Sequence, residues 1–129
     1  MNNAPAPRRP NGGPPNNLAE ALMEMIEPEE HEELIARLCH ALGHPLRVGI
    51  VRYIATHPRC ICNDIVLRTN RAQSTISEHL RVLVHAGLVE CEADGQATTY
   101  WLATEALRIL GLSLERISAL RVRSVRGGQ

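Results

Sequence analysis

The stretch from Gln73 to Leu102 changes its hydrophobic period once, at a glycine, and that change restricts the folds open to the chain. Ile76, Leu80 and Leu83 are spaced i, i+4, i+7, one apolar stripe of a helix that starts near Gln73 or Ser74 and runs to about His85. Gly87 is a natural stop for it, because glycine enters the left-handed region without a Cβ penalty. Beyond it Val89 and Cys91 alternate with Glu90 and Glu92, the period of a half-buried strand. Asp94-Gly95 signals a hairpin, and Thr98, Thr99, Tyr100 and Trp101 suit a return strand. A helix that runs directly into a hairpin has little core of its own, so other helices must supply one.

The rest of the chain offers them. Leu18, Leu22 and Ile26 mark a short amphipathic helix that stops before Pro28. A second helix fits roughly 29–42, with Leu34, Ile35, Leu38, Ala41 and Leu42 on one face and Gly43 at its end. Pro45 can open a third helix, which carries Leu46, Ile50, Tyr53 and Ile54 and ends before Pro58. Cys60-Ile61-Cys62 reads as an extended piece entering a brief helix over 63–69, with Asn63 as its N-cap. A turn at Asn70-Arg71 leads to the 73–85 helix. Thr104 is expected to cap a last helix over 104–120, with Leu107, Leu110, Leu114 and Ile117 on one face. This order predicts a mainly α fold with a β-hairpin wing, a winged helix-turn-helix. The domain spans 18–120. Residues 1–17, rich in Pro, Asn and Gly, read as a disordered tail, and 121–129 as a basic flexible tail.

The 129 residues suffice for one domain with a modest core, and with no Phe, one Trp and two Tyr that core must be aliphatic. There is no run of 18 apolar residues and so no membrane span, and the N-terminus lacks the apolar stretch of a signal peptide. A cytoplasmic protein with reduced thiols is expected, whose four Cys serve as ligands, sensors or small buried residues. The formal net charge is zero, but its distribution is uneven: Glu20, Glu24, Glu27, Glu29, Glu30, Glu32 and Glu33 fall in one stretch, while from residue 34 onward 12 Arg face 7 acids. Segregating acids from a basic body leaves a surface able to meet phosphates. No nucleophile–base–acid constellation, phosphate-binding glycine loop or cofactor fingerprint is present, which argues against an enzyme.

In a helix-turn-helix the second helix enters the major groove with its first turns facing base edges. Gln73, Ser74, Thr75 and Ser77 supply donors and acceptors there, while Arg71, His79 and Arg81 can reach phosphates. Gln96, at the hairpin tip, would lie along the neighbouring backbone of double-stranded DNA; Asp94 beside it weakens that contact.

Residues 38–102 resemble the arsenic-repressor family of metalloregulators (ArsR/SmtB type), in its arsenite-responsive repressor subgroup. Leu38-Cys-His-Ala-Leu-Gly-His-Pro-Leu-Arg47 is similar to the family's opening "kALadptR", and Ala72-Gln-Ser-Thr-Ile-Ser-Glu-His-Leu-Arg-Val-Leu83 to its recognition helix. The resemblance implies a homodimer joined through first and last helices, and a repressor that leaves an imperfect palindromic operator when metal binds. The apolar content of 29–42 and 104–120 exceeds what a small monomer needs, which agrees.

Cys60-Ile-Cys-Asn-Asp-Ile65 resembles the family's arsenite box "CVCDL", with Asn63 as an extra residue. In an extended segment residues i and i+2 point to one side, so both sulfurs can approach one ion. The helix start is expected to lower the thiol pKa, and thiolates select soft acceptors such as As(III), Sb(III), Cd(II) and Pb(II). The family's further Cys, three residues after the pair, is missing: that position is Ile65, or Val66 if the extra residue is counted. Residues 1–38 hold no Cys, which weakens the N-terminal ligands that cadmium and lead sensors of the family add. Cys91 is the better third ligand and Cys39 the lesser one, since a helix of about 12 residues, roughly 18 Å long, separates Cys39 from Cys60. A pair-only site favours As(III) or Sb(III). The family's other sensing site, Asp and His pairs on the last helix, lacks its His here. The alternatives are Cd(II) or Pb(II) sensing and a thiol redox or persulfide sensor on the same fold.

Overall fold

The computed structural model describes residues 17–120, so the expected N-terminal tail up to residue 16 and the basic tail 121–129 lie outside the described residues. The element order is α1 (Leu18–Met25), α2 (Pro28–Ala41), α3 (Pro45–Thr56), β1 (Cys60–Ile61), α4 (Cys62–Thr69), α5 (Gln73–Ala86), β2 (Val89–Asp94), β3 (Ala97–Leu102) and α6 (Thr104–Ser118). This is the winged helix-turn-helix expected from the pattern. Asn17 belongs to the fold rather than to a tail: its side chain accepts from the Glu20 amide at 2.9 Å and caps α1.

The core is aliphatic, as the composition requires. Leu38, Ile50, Ile54, Ile65, Ile76, Leu80, Leu83, Leu88 and Val89 are fully buried, each stabilising the fold by about 1.5–3 kcal/mol. The stripe Ile76-Leu80-Leu83 seats α5 on this core, and Gly87 ends α5 in the left-handed region at φ 89°. Asn70 makes the turn between α4 and α5 at φ 55°, a conformation Asn tolerates better than most side chains. The sheet order is β1-β3-β2, antiparallel throughout, so β1 joins the hairpin as a third strand.

Two expected caps are corrected. Asn63 is not an N-cap: pairing of Cys60 and Ile61 with Tyr100 and Thr99 places the helix start at Cys62, and the Asp64 carboxylate reaches back to the Ile61 amide at 2.9 Å. Thr104 is the first residue of α6, not its cap; Ala103 precedes it without a side-chain bond. His44, which the sequence marked only as part of a family pattern, sits at the start of α3, and its Nδ1 accepts from the Leu46 amide at 3.1 Å. A helix start welcomes an acceptor, not a cation.

α1 lies against α6, with Ala19, Met23 and Ile109 buried between them. The His31 ring and Ser113 Oγ are 2.9 Å apart; since that hydroxyl donates to the Ile109 carbonyl at 2.7 Å, His31 Nε2 is the donor, tying α2 to α6. Leu18 and Met25 on α1, Leu114 and Ile117 on α6, and Leu120 beyond it remain exposed. Val48 on α3 and Leu67 on α4 are exposed singly; the uncovered apolar residues that gather do so on α1 and α6, while on α2 Leu38 and Ala41 are buried in the core.

Candidate DNA interface and thiol site

The α4–turn–α5 unit presents the polar start of α5 outward. Arg71, Gln73, Ser74, Thr75 and Ser77 are all exposed, and Gln96 is exposed at the hairpin tip beside Gly95, which takes φ 62°. Arg81 is exposed too, with Glu78 at 3.5 Å one turn before it, an ion pair of little strength at such exposure.

His79 differs from the others. It is half-buried, and Arg47 Nη1 donates to its Nδ1 at 3.3 Å. Arg47 also donates from Nε to the Ala41 carbonyl at 2.6 Å and from Nη2 to the His40 carbonyl at 3.3 Å. One guanidinium therefore joins the C-terminal end of α2 to the recognition helix. Burial pushes the His79 pKa down, helped by the nearby His44 and Arg47 and opposed by Glu78. The sequence marked Arg47 only as part of a family pattern; its structural role is visible only once α2, α3 and α5 are packed together.

The thiols lie at the junction of wing and helix-turn-helix. Cys60 is buried in β1, and Cys62, half-buried, is the first residue of α4. The expected lowering of their pKa is corrected. Burial pushes the Cys60 thiol up, as do the Asp64 carboxylate and the charge of Cys62, against its own backbone hydrogen bond. Burial alone pushes up Cys62. Desolvation by the wing outweighs the helix start.

Cys91 stands in register with Cys60, one strand removed from it. Tyr100 of β3 is the Cα partner of both Cys60 on one side and Cys91 on the other. Two strand spacings, about 10 Å, separate the two Cys backbones, beyond the reach of a disulfide. Tyr100 feels all three thiols: burial first, then Cys62, Cys91 and Cys60, push its pKa up. Cys39 is exposed in the last turns of α2. Among the described residues no group of three or more His, Cys, Asp or Glu is placed to hold a metal ion.

A clamp that sequence reasoning missed fixes β1 to the wing. Arg59 takes φ 69°, unusual for a residue with a side chain, while its amide donates to the Tyr100 carbonyl at 2.8 Å. Its guanidinium lies over the Trp101 ring at 3.9 Å and pairs with Glu92 at 3.0 Å; Trp101 Nε1 donates to Glu90 at 2.7 Å. Cys60 follows directly, so its position is set by the wing as much as by α4.

A family model described as "Bacterial regulatory protein, arsR family" matches residues 44–90, from the cap of α3 into β2. An uncharacterized HTH-type transcriptional regulator of Methanocaldococcus jannaschii is 30% identical over 80 residues, which make up 61% of this chain and 89% of that protein. The chain belongs to the arsR family of bacterial regulators. The family is one of transcriptional regulators, not of enzymes. Another relative, the HTH-type transcriptional repressor SmtB of Mycobacterium tuberculosis, is 32% identical over 80 residues, 62% of this chain and 58% of that repressor. The chain thus spans less than two thirds of that curated relative. Among solved structures, a homodimeric winged helix-turn-helix DNA-binding domain from Mycobacterium bovis, described as a possible ArsR-family regulator, superposes with a TM-score of 0.56 at 25% identity, over 70% of this chain and 84% of that one. No helix among the described residues is long and apolar enough to cross a membrane.

Proposed function

We propose that the chain is a cytoplasmic transcriptional repressor that binds operator DNA as a homodimer in its metal-free form and is released when Cys60 and Cys62 capture As(III) or Sb(III). One observation carries this reading: the two thiols sit where β1 ends and α4 begins. Cys60 pairs with β3 of the wing, and Cys62 opens the helix that packs on the recognition helix. Drawing the two sulfurs onto one ion acts on both DNA-contacting parts at once. Release then requires the inducer to favour the non-DNA conformation by roughly 1–3 kcal/mol or more. The homodimer is supported by the exposed apolar residues of α1 and α6, and by the homodimeric state of the M. bovis domain.

The chemistry of the donor set supports a trivalent inducer. Cys60 and Cys62 both hold their protons more tightly than a free thiol. Arsenous acid condenses with two protonated thiols to a dithiolate, and its hydroxyls leave with the thiol protons as two waters. No proton is released, so the raised pKa values cost little. Cd(II) or Pb(II) must instead expel two protons, and low coordination suits them less. Binding of arsenite is therefore expected to be nearly flat from pH 7 to 8.5, whereas any Cd(II) binding should strengthen steeply as pH rises.

The deciding experiment measures operator binding with and without arsenite in wild type, Cys60→Ser and Cys62→Ser. Either substitution should leave DNA binding intact and abolish release; arsenite release that persists without both thiols would sink the reading. Cys91→Ser is expected to retain release, because Cys91 stands one strand beyond Tyr100.

A further inference from the structure

Between the start of α3 and the start of α5 lies a cleft of about 540 Å³ lined by His44, Pro45, Leu46, Arg71, Thr75 and His79. None of the six is acidic. The His44 and His79 rings meet in its lining, with centroids 4.6 Å apart and planes tilted by 51°. Both rings have one nitrogen committed. His44 Nδ1 accepts the Leu46 amide, and His79 Nδ1 accepts from Arg47, which always donates. In each neutral ring the hydrogen therefore sits on Nε2, the nitrogen left for a ligand. Arg71 adds a full charge and Thr75 a hydroxyl. The cleft adjoins the exposed polar start of α5.

We propose that this cleft seats one backbone phosphate of bound DNA, with Arg71 supplying the charge and His44 and His79 acting as neutral, tautomer-fixed Nε2–H donors. The proposal rests on the DNA-binding reading above and adds to it a specific site, a residue the sequence did not place there (His44), and a protonation state. The charged and titratable groups facing the two rings are Arg47 from α3, Arg71 from the turn and Glu78 from α5, besides the rings themselves. Protonating either Nδ1 would set it against the Leu46 amide or the Arg47 guanidinium. The lowered pKa of His79 agrees with a neutral ring. His44 thus has two jobs, capping α3 and meeting the phosphate, and they can be separated. Asparagine is among the best N-cap residues, so His44→Asn keeps the cap but withdraws the Nε2–H donor.

The test uses the full chain and a 30-bp duplex from immediately upstream of its own gene, titrated at several salt concentrations from pH 7 to 8.5. A lost hydrogen bond to a charged group corresponds to roughly tenfold to a hundredfold in affinity, so His44→Asn and His79→Asn, which keep an acceptor near Nδ1 and lose the Nε2–H donor, should each weaken binding by about tenfold. Neutral donors displace no counterions, so the slope of log K against log salt should stay as in wild type, and the loss should be the same across the pH range. Arg71→Ala should weaken binding and lower the slope by about 0.9, one phosphate's share. His44→Asn must show the wild-type thermal midpoint, which separates a lost phosphate contact from a lost cap. If His44→Asn binds as wild type does, or if its salt slope falls like that of Arg71→Ala, the neutral seat is overturned while the DNA-binding reading stands. If wild type binds no duplex at any salt concentration, both fall.

Discussion

Arg47 shows how much of this fold is held by single side chains that bridge helices. Its guanidinium reaches two carbonyls at the end of α2 and the ring of His79 on α5, three directions that need a rigid planar fork. The last carbonyls of a helix have no partner within it; Arg47 supplies one to Ala41 and shares the His40 carbonyl with the Gly43 amide. Arg47→Ala is expected to lower stability by about 2 kcal/mol, and Arg47→Lys to recover less than half of that, because the three donors of an ammonium radiate from one atom and cannot span acceptors that Arg47 meets with three separate nitrogens. Urea midpoints of the three proteins check this; a Lys variant as stable as wild type would show that only the charge matters. DNA affinity should fall further than stability alone explains, because His79 loses the contact that fixes its tautomer.

At the scale of elements, the start of α4 decides how the thiols behave. The Asp64 carboxylate accepts from the Ile61 amide and at the same time raises the Cys60 pKa by its charge. Asp64→Asn keeps an acceptor for the amide and removes the charge. The variant should stay within about 1 kcal/mol of wild type, while its Cys60 ionises at lower pH. Alkylation rates followed against pH should shift to lower pH in Asp64→Asn; an unchanged profile would mean that the Asp64 charge has no hold on the thiol. This junction also marks where the sequence stopped being legible. The recognition helix and wing could be read because their evidence is local: a stripe at i, i+4, i+7, a stop at Gly87 and a change of period. The helix start at Cys62 could not, because Asn63 is the better cap by local preference and only pairing of β1 with β3, some 40 residues on, displaces it. The thiol pKa values failed for the same reason, since the wing that buries Cys60 comes later in the chain. His44 and His79 likewise meet only through packing of α3 on α5.

At the scale of the whole molecule, one chain leaves an apolar surface open on α1 and α6. Ile117 and Leu114 on α6, Leu120 just past it, and Leu18 and Met25 on α1 are large, apolar and exposed. Their helices already pack on each other through Ala19, Met23 and Ile109, so a second copy could cover them without disturbing the core. Pairing two chains about a two-fold axis places two recognition helices at a fixed spacing, and a palindromic operator requires that spacing to be about 34–36 Å, one turn of DNA. Affinity for such an operator then belongs to the pair, because each helix alone reads only half a site. Ile117→Glu sets two like charges at or near a self-complementary interface and should leave a folded monomer, since the side chain it replaces is exposed and outside the core. Sedimentation should show the dimer lost with the helical signal kept, and operator affinity should fall towards the level for unrelated DNA, by about a thousandfold or more. A variant that sediments as a monomer yet binds the operator like wild type would mean that one chain reads the whole site, and the two-fold arrangement would have to be abandoned.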